Sequence, residues 1–223
     1  ARSARSVLPA PAMKTNPAIG GGTSRPKNPK RVPARGNVTT GVFDIFSGVG
    51  ERVSHTTIHM PAATGTALMG DWNGDGKDTV GVYRPSNSTF YLRNSNSSGL
   101  ADNTFGYGTT GDRPLCGDWN GDGIDTIGIR RGDSFYIQNT NATLPGTSIA
   151  RIIFGSSTDE GICGDWNGDG IDTVGVKRGN IFYLRNSNNS GIADVTIVFG
   201  DSADRPVVGD YNGDGTETVG VSR

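Results

Sequence analysis

Asp71, Asn73 and Asp75 stand at alternate positions of the segment GDWNGDGKD, with Asp78 at its end. Short oxygen-bearing side chains spaced two apart in a tight loop converge, and Gly74 and Gly76 leave the backbone free to curl around the point where they meet. With the Lys77 carbonyl as a further donor, the set is all hard oxygen, which suits calcium. Zinc would ask for His and Cys ligands that the phrase lacks. Magnesium's small octahedral shell is less compatible with a cage made only of protein oxygens. The same residues could instead form Asx turns, bonding only their own backbone. The phrase returns as GDWNGDGID at Gly117 and Gly164 and as GDYNGDGTE at Gly209. Each copy gathers carboxylates against their mutual repulsion, which favours a metal over a turn. A catalytic centre needs one unique constellation, so fourfold repetition points first to architecture.

The elements that would position these loops follow from the spacing. Asp71 to Asp118 and Asp118 to Asp165 are each 47 residues, and Asp165 to Asp210 is 45. Each loop runs into an alternating strand: TVGVYR, TIGIRR, TVGVKR or TVGVSR. A second strand of aromatic and β-branched residues follows in TFYLRN, SFYIQN and IFYLRN. Segments ending at Tyr107, Phe154 and Phe199 supply a third, and the short apolar runs that contain Cys116, Cys163 and Val208 supply a fourth. A period of 45–47 residues with four strands per unit is propeller-like. Residues 41–69 resemble the later part of a unit without its acidic loop, with Phe43 falling where Phe90 falls. Joined to residues 209–223 they make one more unit. The expectation is an all-β, small four-bladed β-propeller over residues 37–223, closed by pairing of its N- and C-terminal strands, because closure removes open sheet edges.

Composition agrees with short strands and tight turns: 33% of the chain is hydrophobic and 35 residues are Gly. Residues 1–36 carry eight basic and no acidic groups and six of the 11 prolines, which reads as a basic extended tail. The remainder holds 13 basic and 22 acidic groups, a net charge of −9. The tail reads as a solvated leader or an anchoring arm rather than a nucleic-acid contact. No apolar run is long enough for a membrane span. The chain opens at Ala1 without an initiator Met or an apolar signal segment, as expected if one has been processed off or omitted.

The phrases GDWNGDGKDTVGVYR, GDWNGDGIDTIGIRR and GDWNGDGIDTVGVKR resemble the calcium-binding repeats of the FG-GAP/VCBS type, found in bacterial secreted proteins and, in related form, in integrin-like propellers. The resemblance covers most of residues 70–223. It implies ligands at loop positions one, three and five, with a carbonyl at seven. These are Asp71, Asn73, Asp75 and Lys77; Asp118, Asn120, Asp122 and Ile124; Asp165, Asn167, Asp169 and Ile171; and Asp210, Asn212, Asp214 and Thr216. The family places another Asp at position nine, where this chain has Thr79, Thr126, Thr173 and Thr218. The nearby carboxylate comes one residue earlier, at Asp78, Asp125, Asp172 and Glu217, and either closes the shell of a slightly shortened loop or leaves that place to water. Four calcium ions would bring +8 to a body of net −9. The family is better known with seven blades, so the fourfold count rests on this chain's own repeats. The resemblance implies a secreted, bacterial, calcium-stabilised module for protein contact or surface assembly.

Other residues read mainly as structural. Trp72, Trp119, Trp166 and Tyr211 share one loop position, suiting packing between blades better than an exposed rim for sugars. Phe90–Tyr91, Phe135–Tyr136 and Phe182–Tyr183 place one aromatic on each strand face, to fill two successive layers. Arg113–Pro114 and Arg205–Pro206 read as turns. Cys116 and Cys163 occupy equivalent positions, as apolar inner residues or a disulfide. His55 and His59 sit in a segment that reads as strand or loop, and no catalytic motif accompanies them, so an enzyme is not expected. The loops NSNSSG at Asn94 and NSNNSG at Asn186 offer groups for sugar hydroxyls, making a glycan-binding propeller the alternative function. N-x-S/T acceptors stand at Asn37, Asn87, Asn96, Asn141 and Asn188.

Overall fold

The computed structural model describes residues 35–37, 41–47, 54–60, 65–143 and 150–223. The expected tail lies outside these residues except for Arg35 and Gly36, which already belong to a strand. All regular structure among the described residues is β-strand, and no helix there is long and apolar enough to cross a membrane.

Three successive antiparallel sheets have four strands each, in chain order. They are β4 (Thr66–Gly70), β5 (Thr79–Arg84), β6 (Thr89–Leu92) and β7 (Asn103–Gly106); β8 (Arg113–Gly117), β9 (Thr126–Arg131), β10 (Ser134–Ile137) and β11 (Ala150–Ile153); and β12 (Glu160–Gly164), β13 (Thr173–Arg178), β14 (Ile181–Leu184) and β15 (Val195–Val198). Before them stands a three-stranded sheet of β1 (Arg35–Asn37), β2 (Val42–Ser47) and β3 (Ser54–His59), and after them β16 (Arg205–Gly209) pairs with β17 (Thr218–Ser222). His55 and His59 therefore lie on a strand.

The sheets are phased differently from the expected units. Gly70 faces Thr79, Gly117 faces Thr126, Gly164 faces Thr173 and Gly209 faces Thr218. Each acidic phrase is thus the tip of a hairpin, whose flanking strands must pair with each other. The apolar run before the loop is the first strand of its sheet, not the fourth strand of the preceding one. Arg113–Pro114 and Arg205–Pro206 accordingly open β8 and β16 rather than forming turns.

The expected seam is also different. Strands β16 and β17 form a sheet of their own, and the edge of β2 that β17 would have taken is paired with β1, with Asn37 opposite Val42 and Arg35 opposite Asp44. The reason is entropic: residues 38–41 are all that separates β1 from β2 in the chain, so this hairpin closes a far shorter loop than a strand from the other end would. The first strands of successive sheets lie side by side, β4 by β8, β8 by β12 and β12 by β16.

Between sheets the core repeats. Phe90, Leu92, Trp72 and Phe105 of one sheet pack on Ile127 and Ile129 of the next, and Phe135, Ile137, Trp119 and Ile152 pack on Val174 and Val176. Phe43, Ile58 and Met60 meet Val80 and Val82, while Phe182, Leu184 and Trp166 meet Val219 and Val221. Each strand of the TVGV type therefore turns its valines or isoleucines to the sheet before it. Phe90, Phe135 and Phe182 are fully buried toward the following sheet, and Tyr91, Tyr136 and Tyr183 pack toward the preceding one. Burying each phenylalanine contributes roughly 2–3 kcal/mol. The central glycine of the strand lets the Trp ring lie close: a methyl group on Gly81 would stand 3.0 Å from Trp72 Cζ2 and 2.9 Å from Leu92 Cδ2.

Candidate metal-binding loops

In each hairpin tip, the position-one aspartate organises the turn. Asp71 Oδ1 accepts the N–H groups of Gly74 and Asp75 at 2.8 and 3.1 Å, and its Oδ2 accepts that of Gly76 at 2.7 Å. Asp118, Asp165 and Asp210 do the same in their loops, within 2.7–3.2 Å. The curl that points these amides inward requires positive φ at positions four and six, 74° at Gly74 and 84° at Gly76, where any other L-residue would be strained. Position three accepts the N–H of position five, as Asn73 Oδ1 does from Asp75 at 3.3 Å. Position five accepts the N–H of position seven: Lys77 on Asp75, Ile124 on Asp122, Ile171 on Asp169 and Thr216 on Asp214, at 2.8–2.9 Å.

Positions one, three and five of each loop are thus brought together. The carboxylate at position eight reaches a different loop. Asp125 binds the loop of the preceding repeat: its Oδ2 accepts the Asp71 N–H at 2.8 Å, and its own N–H donates to the Asp71 carbonyl at 2.8 Å. Asp172 grips Asp118 identically, and Glu217 grips Asp165 with side-chain and backbone bonds of 3.1 and 2.8 Å. The longer Glu side chain makes the same bond. These three side chains lie at an inter-repeat contact, with the residues only 4%, 0% and 6% exposed. Asp78, their counterpart in the first loop, has its carbonyl bonded by Asn96 Nδ2 at 3.0 Å.

A second contact joins the loops. The Ile124 side chain sits against Gly74, Ile171 against Gly121 and Thr216 against Gly168, so close that a methyl group on those glycines would lie 3.1, 3.2 and 2.9 Å from them. The four hairpin tips therefore stand in one touching row.

The residues that would hold a hard cation are oxygen donors throughout; a carboxylate has about four lone-pair sites, of which Asp71 uses three for backbone N–H bonds. Position five accepts one backbone N–H on Oδ1; in three loops its Oδ2 also takes the neighbouring Asn Nδ2 at 2.9 Å. The Thr216 N–H and the Asn212 amide hold the Asp214 carboxyl below the usual range, so it is anionic at neutral pH. Among the described residues no three His, Cys, Asp or Glu side chains converge as a metal-holding group, in keeping with two carboxylates per loop.

Away from the loops lies a repeated ion pair that sequence reasoning missed. Asp112 and Arg131, Asp159 and Arg178, and Asp204 and Arg223 are each 19 residues apart and paired at 2.7, 2.8 and 3.4 Å. Burial works against the Asp112 and Asp159 carboxyls, but the bonds from Arg131 and Arg178 and from the Thr109 and Ser156 amides hold their pKa values below the ordinary one. The signal was an Asp four residues before Cys116, Cys163 and Val208, matched by the last residue of the TVGVKR-type strand. A further tie runs between sheets: Tyr83 Oη donates to Thr109 O at 3.2 Å, Arg130 Nη2 to Ser156 O at 2.6 Å, and Lys177 Nζ to Asp201 O at 3.3 Å.

The polar loops offered for sugars are tied from within. Arg93 donates to the carbonyls of Ser97, Ser98 and Leu100, and Arg185 to that of Ile192 and to the Ser187 hydroxyl. Asn141 and Asn188 donate Nδ2 to the carbonyls of Asp125 and Asp172 at 2.8 Å, as Asn96 does to Asp78. Trp72, Trp119 and Trp166 are buried, whereas Tyr211 is 55% exposed. Cys116 and Cys163 are not joined by a disulfide; their thiols donate to the carbonyls of Met69 and Cys116. When the chain is compared with known proteins, no family model matches it and no curated protein does.

Proposed function

We propose that this chain is a calcium-stabilised extracellular scaffold of the FG-GAP/VCBS type, whose stacked sheets act as propeller-like blades presenting a surface for protein contact or assembly. The observation that carries the reading is the shared geometry of the four hairpin tips, each of which brings two carboxylates and an amide oxygen into one tight turn. Asp71, Asn73, Asp75 and the carbonyl of Lys77, and their counterparts, would hold the ion, which would neutralise the acidic row. Calcium affinity falls as charged ligands become fewer, and two carboxylates fit the 10⁻⁴–10⁻³ M range, roughly that of extracellular modules. The unfolded chain cannot hold the same oxygen geometry, so binding would stabilise the fold.

The alternative, a glycan-binding propeller using the loops at Asn94 and Asn186, is less favoured because Arg93 and Arg185 tie those loops from within and three of the four loop aromatics are buried. Calorimetric titration of metal-stripped protein with Ca2+, paired with thermal melting before and after chelation, tests the calcium reading. The expected result is binding heat at near-millimolar calcium and a chelator-sensitive melting temperature. Neither signal, in protein shown metal-free by elemental analysis, would reduce the tips to Asx turns.

A further inference from the structure

We infer that Asp125, Asp172 and Glu217 are positioning residues for the calcium loop of the preceding repeat, and that neighbouring loops bind the ion as coupled sites. The inference rests on the calcium reading above and deepens it. Asp125 fixes both backbone polar groups of Asp71, the first residue of the neighbouring loop, through two bonds of 2.8 Å. The bonds are formed where water is nearly excluded, which strengthens them. They also place a negative charge beside the position-one ligand without using any of that ligand's own carboxylate sites.

The residue next to the clamp completes the linkage. Ile124 supplies the position-seven backbone of its own loop, its N–H bonding Asp122 at 2.9 Å, while its side chain rests on Gly74 of the loop before. A single dipeptide, Ile124–Asp125, therefore serves two loops at once. Ordering either loop orders the dipeptide, and the second ion then meets a loop already partly held. Ile171–Asp172 and Thr216–Glu217 repeat the arrangement.

The direction of the effect makes the inference testable. Protein labelled with 15N-glycine carries two labelled amides in each loop, at positions four and six, and the position-six amide serves as the reporter: Gly76, Gly123, Gly170 and Gly215. In Asp172→Ala the calcium midpoint of Gly123, in the preceding loop, should rise about tenfold, as expected for loss of a residue that orients a ligand, and by more than that of Gly170 in its own loop. Asp172→Glu should restore Gly123 to within about twofold of the parent, because Glu217 makes the same bond at 3.1 Å. Should Asp172→Ala fail to fold, Glu217→Gln is read in the same way with Gly170 as the reporter. A larger shift at the variant's own loop, or none at the preceding one, overturns the inference while leaving calcium binding intact. No calcium response from any of the four glycines in the parent protein would instead bring down the calcium reading and this inference with it.

Discussion

Replacing Asp159 with Asn removes one charge from a site whose bonds can be counted. The Asp159 side chain is 1% exposed, takes Arg178 Nε and Nη2 on its two oxygens at 2.8 Å each, and accepts the Ser156 N–H at 2.7 Å. Asparagine keeps the shape and one acceptor oxygen, but it turns an amide N–H toward a donor that it cannot satisfy. A hydrogen bond to a charged group contributes about 1.5–3 kcal/mol. Arg178 is 52% exposed, so water recovers part of its loss, and the net cost should be about 2 kcal/mol. For a body of this size that lowers Tm by about 4–8 °C. The pH dependence has a definite sign. The folded pKa of Asp159 is depressed, so its contribution is fully present above the unfolded value of about 3.9 and is lost as the pH falls through the folded one. Differential scanning calorimetry of parent and variant should therefore show a gap in Tm at neutral pH that narrows below about pH 4. A neutral-pH gap of less than about 1 °C, or one that is equally wide in acid, would refute the reasoning.

Trp119→Ala should cost about 3–5 kcal/mol in urea unfolding, since Trp119 is 5% exposed, whereas Tyr211→Ala at the equivalent position should cost under about 1 kcal/mol. Gly76→Ala isolates backbone strain, because a methyl group there meets nothing within 4 Å while φ is 84°; denaturant titration should show a loss of about 1–2 kcal/mol. Arg93→Lys cannot reproduce the fork that donates to Ser97 and Leu100. Faster amide hydrogen exchange at residues 97–100, with melting little changed, is the expected outcome, and unchanged exchange would show that the loop holds itself.

The repeat period, the strands and the burial of the tryptophans were legible because each is written in local pattern: alternation, a recurring aromatic, a glycine where a ring must approach. Positions one, three and five of the loops were legible for the same reason, since their partners lie within five residues. The position-eight carboxylates were not. Asp125 bonds Asp71, 54 residues away, and nothing local distinguishes a side chain facing its own loop from one facing its neighbour. The pairing of Asp159 with Arg178 was hidden similarly, although its 19-residue spacing recurs. The seam failed for a different reason. Complementary half-units at the two ends take no account of the short hairpin that lets β1 reach the β2 edge first.

The one-way packing of the sheets bears on synthesis. Each repeat turns Phe90, Phe135 or Phe182 toward the sheet that follows it, so a growing chain always carries one apolar face whose cover has not yet been made. At translation rates of about 5–20 residues per second, a repeat of this length leaves that face waiting for roughly 2–9 s. Each newly finished sheet thus passes through an interval of exposure to chaperones and to neighbouring nascent chains. At the last of the four positions, where no following sheet covers it among the described residues, the exposed ring is Tyr211, whose hydroxyl tolerates water better than the indoles buried before it.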